Sequence, residues 1–356
     1  MAILRLYKEK LRHNYQFLDS LFSENHIDWG VVTKLLCGNE KFIREVIDLG
    51  VREIHDSRIS NLKVIKSINP DIQTVYIKPP PKRSIKNIIK YADVSLNTDY
   101  EIMKLLSDEA NKQEKIHKVL IMIEMGDLRE GVMGEDLIDF YGRVFKLKNI
   151  EIVGIGANLN CLHGVMPTQD KLVQLSLYKQ LIEATFDKKI PWISGGTSVT
   201  IPLLYKHQIP TACNHFRVGE TLFFGMDLFE NKPFEGMEPD VFELFAEVID
   251  ITEKPKVPSG PMGMTPSGEM IKIDEQNYGK TTKRIILDIG LLDINPEYIQ
   301  PLDDSIKYIG GSSDMLIYDI GENKEGYRVG DLIPFKLKYM GALSLLNSYY
   351  IEKQVA

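Results

Sequence analysis

The chain has 356 residues, 44% hydrophobic and 26% charged, with a formal net charge of −7. That length holds a barrel of about 250 residues plus a smaller unit, and the apolar fraction excludes a disordered chain. The acidic balance argues against nucleic acid as a partner, because a phosphate backbone needs a basic surface.

The N-terminus, Met1-Ala2-Ile3-Leu4-Arg5-Leu6-Tyr7-Lys8, lacks the apolar run of a signal peptide, and no stretch reaches the ~18 apolar residues of a membrane span. A cytoplasmic chain with no membrane partner is the expectation. Cys37, Cys161 and Cys213 are odd in number and far apart, which predicts free thiols in a reducing compartment. Taken in chain order, β-rich runs fall at residues 28–34, 52–57, 72–78, 93–97, 118–125, 151–157, 191–195 and 214–218. The segments between them, such as 100–113 and 168–186, carry apolar residues at helical spacing. Eight strands joined by crossover helices predict a (β/α)8 TIM barrel, with a doubly wound open sheet as the alternative. After Gly225 the pattern changes to strands at 243–251, 283–289, 315–320 and 333–340. No helix long enough for a crossover separates these, so a C-terminal all-β domain is predicted. The division is expected as a barrel over 1–235 and a β domain over 236–356, with the Pro- and Gly-rich segment 254–263 as an exposed loop.

Barrel active sites lie where strands end and βα loops begin. Lys34 closes the first strand, where an amine can form a Schiff base with a carbonyl; a lone strand-end lysine is ordinarily just solvated. Ser194-Gly195-Gly196-Thr197-Ser198 ends strand seven and runs into a predicted helix, as a phosphate cradle does. Phe216-Arg217-Val218-Gly219-Glu220 ends strand eight and supplies a second Gly turn at the neighbouring loop. A single such turn is usually structural; two at the loops where barrels bind phosphate favour the functional reading. Cys37, Cys161, His163 and Cys213 also fall near strand ends, but their spacing matches no zinc pattern, and no metal is expected. The histidines at 13, 26, 55, 117, 207 and 215 form no cluster in sequence and take no role.

Six motifs occur in an order that resembles the alanine racemase-type enzymes dependent on pyridoxal 5′-phosphate (PLP). They are Leu11-Arg12-His13-Asn14, Val31-Val32-Thr33-Lys34, Met125-Gly126-Asp127-Leu128-Arg129-Glu130-Gly131, Ser194 to Ser198, Arg217-Val218-Gly219-Glu220 and Gly311-Ser312-Ser313-Asp314. Thr33 to Gly38, Gly126 to Gly131 and Gly156-Ala157-Asn158-Leu159-Asn160-Cys161 look most like the ornithine racemase branch. The resemblance implies that Lys34 holds PLP and serves as one acid/base group, with Arg217 facing the pyridine nitrogen. It places the phosphate on Ser198, Thr197 and the backbone amides of Gly219 and Glu220. Arg129 would meet the cofactor's phenolic oxygen and the substrate carboxylate, and Asn158 would stand where many alanine racemases carry a histidine against the ring. It implies a homodimer in which a tyrosine of the partner is the second base; Tyr278 is the candidate here, against the plain reading of a surface hairpin tyrosine. Ser313 would lie where the family's methionine backbone meets the substrate carboxylate. Asp127 and Glu130 stand where alanine racemases are uncharged, and one of them is expected to pair with the distal ammonium of ornithine or lysine, although loop acids are usually solvated.

These residues imply racemisation of a basic amino acid. A decarboxylase on this architecture would carry a carboxylate at the pyridine nitrogen and a cysteine in the β domain; this chain offers Arg217 and no cysteine after Cys213. A non-catalytic PLP carrier would leave the C-terminal β domain without a purpose and would exchange no substrate Cα proton.

Overall fold

The computed structural model describes residues 1–264, 268, 270 and 272–356. The chain divides into two compact units, Tyr7–Val241 on one side and Met1–Leu6 with Phe242–Ala356 on the other. Against an expected division at 235/236, the break falls between Val241 and Phe242. The first six residues go with the C-terminal unit because Ile3–Leu6 pair antiparallel with Phe242–Pro255 and parallel with Glu352–Val355.

The unit Tyr7–Val241 is a (β/α)8 barrel. Its strands are β1 (Asp28–Val32), β2 (Glu53–Asp56), β3 (Gln73–Tyr76), β4 (Val94–Asn97), β5 (His117–Met122), β6 (Ile150–Gly156), β7 (Trp192–Ser194, continued by Gly196–Thr197) and β8 (His215–Val218). Each pairs in parallel with its neighbour, and β8 pairs with β1 through His215↔Asp28 to Val218↔Val31. Closure depends on β7 changing partners at Gly195. Its first half pairs with β6 (Gly154↔Trp192) and its second with β8 (Phe216↔Gly196). A Cβ on Gly195 would stand 2.9 Å from Leu172, and one on Gly196 only 2.2 Å from the Phe216 ring. Bare backbone is what lets the strand pass there.

The helices follow from spacing and caps. Lys8–Glu24 buries Leu11, Asn14, Leu18 and Phe22, one stripe of a 3.6-residue period. Full burial of such apolar side chains contributes about 1.5–3 kcal/mol each. Asn14 is tolerated in that stripe because its amide donates to the Leu222 and Glu238 carbonyls and accepts from the Glu238 N–H. Asp99 and Thr168 cap the helices Tyr100–Lys112 and Gln169–Phe186.

Val75, Val94, Leu96, Leu120, Met122 and Val153 form an apolar cluster against which Trp192 packs. The same indole stacks on the His215 ring with centroids 4.5 Å apart. Trp192 therefore separates an apolar half of the barrel interior from a polar half, which holds Glu53, His55, Ser194, His215 and Arg217, all buried.

The other unit is a curled, largely antiparallel sheet in which Leu332–Leu337, Phe242–Pro255, Thr281–Leu287 and Leu316–Gly321 pair in that order. The strand expected over 333–340 stops at Leu337, and Tyr339–Asn347 is a helix burying Gly341, Ala342, Leu345 and Leu346. Among the described residues no helix is long and apolar enough to cross a membrane.

Candidate active site

At the carboxyl end of β1 the chain turns sharply. Thr33 donates to Asp56 Oδ2 at 2.9 Å, and Asp56 Oδ1 accepts from the Arg58 N–H at 2.9 Å and from Asn61 Nδ2 at 3.1 Å. Burial holds the Asp56 carboxyl above its ordinary range despite those donors. Lys34 then opens the 3-10 turn Lys34–Leu36, with Leu35 and Leu36 buried beneath it and its own side chain exposed.

Arg217, on β8, is buried, and each of its terminal nitrogens is held by two acceptors. Nη1 donates to the Ser194 carbonyl at 2.6 Å and to Ser194 Oγ; Nη2 donates to the Ala157 carbonyl at 2.7 Å and to Asn158 Oδ1 at 2.8 Å. Four protons are thus spent on the ends of β6 and β7, while the Nε–H takes no hydrogen bond among the described residues. Burial lowers its pKa to about 10, still charged at neutral pH.

Asn158 passes this network outward, its Nδ2 donating to Glu130, whose carboxylate also receives Arg129 through Nε and through Nη2 at 2.5 Å. The bidentate pair raises the Arg129 pKa. Asn158 is an amide bridge between Arg217 and Glu130, a role its motif did not disclose. Asp127 differs from expectation. Its Oδ2 accepts from the Cys161 and Leu162 N–H at 2.9 and 2.8 Å, and its Oδ1 from those of His163 and Val165 at 3.1 Å. Burial pushes its carboxyl up, and these four donors bring it below the ordinary value. Both oxygens serve the 161–165 loop, so Asp127 organises that loop.

In the expected phosphate cradle, Thr197 and Thr200 cap each other reciprocally, the Thr197 N–H donating to Thr200 Oγ1 at 3.2 Å. Ser198 Oγ accepts from the N–H of Gly219 at 3.3 Å and of Thr221 at 3.2 Å, so the loops after β7 and β8 are tied together at that hydroxyl. Glu220 begins the next short helix; burial raises its carboxyl while the charge of Lys34 draws it down. Lys34, Arg129, Asn158, Thr197, Ser198, Arg217, Gly219 and Glu220 thus all lie at the carboxyl ends of the barrel strands. Tyr278 and Ser313 belong to the other unit. Tyr278 follows the turn Glu275–Asn277 and is 63% exposed; Ser313 Oγ donates to Asp314 Oδ2 at 2.6 Å, and its carbonyl accepts from Leu292.

The sequence reading left His55 and His215 without a role, and the fold brings them together with Glu53 inside the barrel. Glu53 and His55 are two apart on β2 and so share a face, and β8 is separated from β2 only by β1. That periodicity was available in the sequence, whereas the pairing of β2 with an interior histidine 160 positions later was not.

These features define an α/β barrel protein with an amine and two guanidinium groups at its mouth. Residues 7–227 match the N-terminal domain of alanine racemase, and the chain belongs to that family. It is 35% identical to ornithine racemase of Acetoanaerobium sticklandii over 97% of each chain, and 28% identical to lysine racemase of Thermotoga maritima over 97% of this chain and 96% of that one. Among solved structures, alanine racemase of Clostridium difficile 630 superposes with a TM-score of 0.78 at 14% identity, covering 100% of this chain and 95% of that one. Alanine racemase of Bartonella henselae with covalently bound pyridoxal phosphate gives 0.74 at 14% identity, covering 100% and 99%.

Proposed function

We propose that this chain is a cytoplasmic, PLP-dependent racemase that interconverts the L and D isomers of ornithine or a similar basic amino acid as a homodimer. The observation that carries the reading is Arg217: a buried guanidinium with four protons fixed and one N–H left over, on the strand that pairs with β1, whose carboxyl end leads into Lys34. The residues fit the cofactor of the family. Lys34 would supply an exposed amine for the aldehyde, Arg217 Nε–H a donor for the ring nitrogen, and the Ser198 hydroxyl with the Glu220 amide donors for a phosphate, beside the Gly219 amide that Ser198 Oγ already takes; Arg129 adds positive charge for an anionic group. The likeness to a basic-amino-acid racemase along nearly the whole chain supports the substrate class.

Bound PLP would supply an aldehyde for the substrate amine and a ring able to take the electron pair left at Cα. Lys34 Nζ removes or returns that proton on one face. Arg217 cannot surrender a proton, so it holds the ring nitrogen by donation alone, which suits brief proton exchange better than a long-lived carbanion. Arg129, kept in place by Glu130, orients the substrate carboxylate. The second face is served by the Tyr278 hydroxyl of a second subunit, with the Ser313 backbone beside the substrate carboxylate. Glu130, a side-chain partner of Arg129, is the acid proposed to meet the distal ammonium, with Asp127 the other candidate.

The test is Cα deuterium incorporation in D2O with L-ornithine, L-lysine and L-alanine. Exchange with ornithine, accompanied by the D isomer and abolished in Lys34→Ala, is expected. PLP bound at Lys34 with no exchange on any amino acid would replace the racemase by a carrier.

A further inference from the structure

Apart from Arg217, the polar half of the barrel interior takes no part in the chemistry assigned above, yet it is continuous with that guanidinium. Ser194 Oγ lies 2.6 Å from His215 Nδ1, and His215 Nε2 lies 2.8 Å from Glu53 Oε1. His55 Nε2 meets the same carboxylate oxygen, and Gln73 Nε2 donates to the other. Glu53 also lines a cavity of about 420 Å³ with Asp28, Trp29, Gln73 and Trp192, residues at the amino ends of their strands. The chain of contacts therefore runs from the mouth of the barrel to its opposite end. We infer that Ser194, His215 and Glu53 form a positioning relay that fixes the protons around Arg217 and ties its buried charge to the Glu53 carboxylate.

Chemistry leaves one assignment of protons. A guanidinium has no acceptor, so Ser194 Oγ must accept from Arg217 Nη1. Among the described contacts the Ser194 hydroxyl proton has no acceptor other than His215 Nδ1, so it is donated into that lone pair; an Nδ1–H donating to Oγ instead would leave this buried hydroxyl proton without a partner. The imidazole proton is accordingly on Nε2, where it is donated to an ionised Glu53. His55, whose Nδ1 has no partner among the described residues, must likewise keep its proton on Nε2, because an orphaned buried N–H costs more than an unused lone pair. Burial lowers the His55 pKa, and although burial alone would raise Glu53, its contacts with His215 and His55 bring it well below the carboxylate range.

Glu53, His55 and His215 lie close enough to hold a metal ion. An ion on His55 Nε2 would force the proton onto the Nδ1 that lacks an acceptor, so hydrogen bonding accounts better for the cluster. Room for it is made at Gly30, where a Cβ would stand 2.3 Å from His55 Nε2 and 2.8 Å from Glu53 Oε1. Arg217 is thus held between two carboxylates through neutral bridges, Glu130 through Asn158 and Glu53 through His215 and Ser194. If Glu53 loses its charge, His215 is free to place its proton on Nδ1. Ser194 Oγ then accepts from both Nδ1 and Nη1, its own proton is left without an acceptor, and the side chain that fixes Arg217 Nη1 is no longer held in one orientation, which loosens the aim of Nε.

The inference rests on the reading of the mouth as a PLP site, and its test separates the two. With PLP-loaded protein, Ser194→Ala and Glu53→Gln are expected to shift the visible absorbance band of the bound cofactor, whose electronics follow the ring-nitrogen contact. The same variants lower kcat roughly 10- to 100-fold, with KM within about twofold, the size of effect that small misplacements produce. His215→Asn, whose carbonyl can still accept from Ser194, stays nearer to wild type in the band position than His215→Phe. Bands and kcat unchanged in Ser194→Ala and Glu53→Gln, with wild type binding PLP and racemising, overturn the relay alone. A wild-type chain that takes no PLP removes the site reading and the relay with it. Should Glu53→Gln lose its far-ultraviolet circular dichroism, Ser194→Ala, which deletes one oxygen, decides the matter by itself.

Discussion

Asp127 and Glu130 stand three residues apart in one loop and do different work. Asp127 accepts four backbone N–H bonds from the 161–165 loop, whereas Glu130 faces Arg129 and Asn158. In Asp127→Asn one oxygen becomes an NH2 and two of those N–H groups lose their acceptor. The expected cost is about 1–3 kcal/mol in urea unfolding, with the preference for ornithine over alanine unchanged. Glu130→Gln should behave in the opposite way. It keeps the fold and lowers kcat/KM for ornithine about tenfold more than for alanine, since a charge facing the distal ammonium is lost. Equal losses on both substrates would leave Glu130 as a partner of Arg129 only. The sequence showed where these acids stand; it could not show that Asp127 meets main-chain N–H groups of the 161–165 loop, because those carry no side-chain signature and lie far along the chain. Lys34 and Arg217 were legible because each ends an apolar run and has its motif around it.

At the scale of elements, eight parallel strands were readable because β1 to β8 are short β-rich runs recurring between helix-like stretches. What escaped was pairing. Strand β7 was expected as 191–195, but its extension Gly196–Thr197 pairs with β8 and completes the barrel. Ile3–Leu6 and Glu352–Val355 were missed because they stand outside the strand–helix alternation of the barrel and find their sheet partners far along the chain. Tyr339–Asn347 was hidden because its apolar content continues that of the preceding strand. The closure gives a direct test. Gly196→Ala sets a Cβ into the fully buried Phe216 ring, which has no flexible end to move away, and should destabilise the protein by about 1–3 kcal/mol. Gly310→Ala, with no heavy atom within 4 Å of its Cβ, should stay within about 0.5 kcal/mol of wild type. Comparable losses from the two in thermal unfolding would remove steric closure as the cause.

For the molecule as a whole, the two proposed bases lie in different units of the chain, Lys34 in the barrel and Tyr278 exposed in the β unit. If each active site joins Lys34 of one subunit to Tyr278 of the other, Lys34→Ala and Tyr278→Phe are each inactive as homodimers. Mixing the two variants after reversible dissociation then gives heterodimers in which one site carries both substitutions and the other carries neither. Random pairing makes about half of the dimers mixed, and half of their sites intact, so activity should return to roughly a quarter of wild type. Sites built within a single subunit would gain nothing from mixing, because every site would still lack one base. A Tyr278→Phe homodimer with wild-type activity would assign the second face to another group while leaving Lys34 in place. The mixing experiment thus reads the oligomer and the identity of the second base in one measurement.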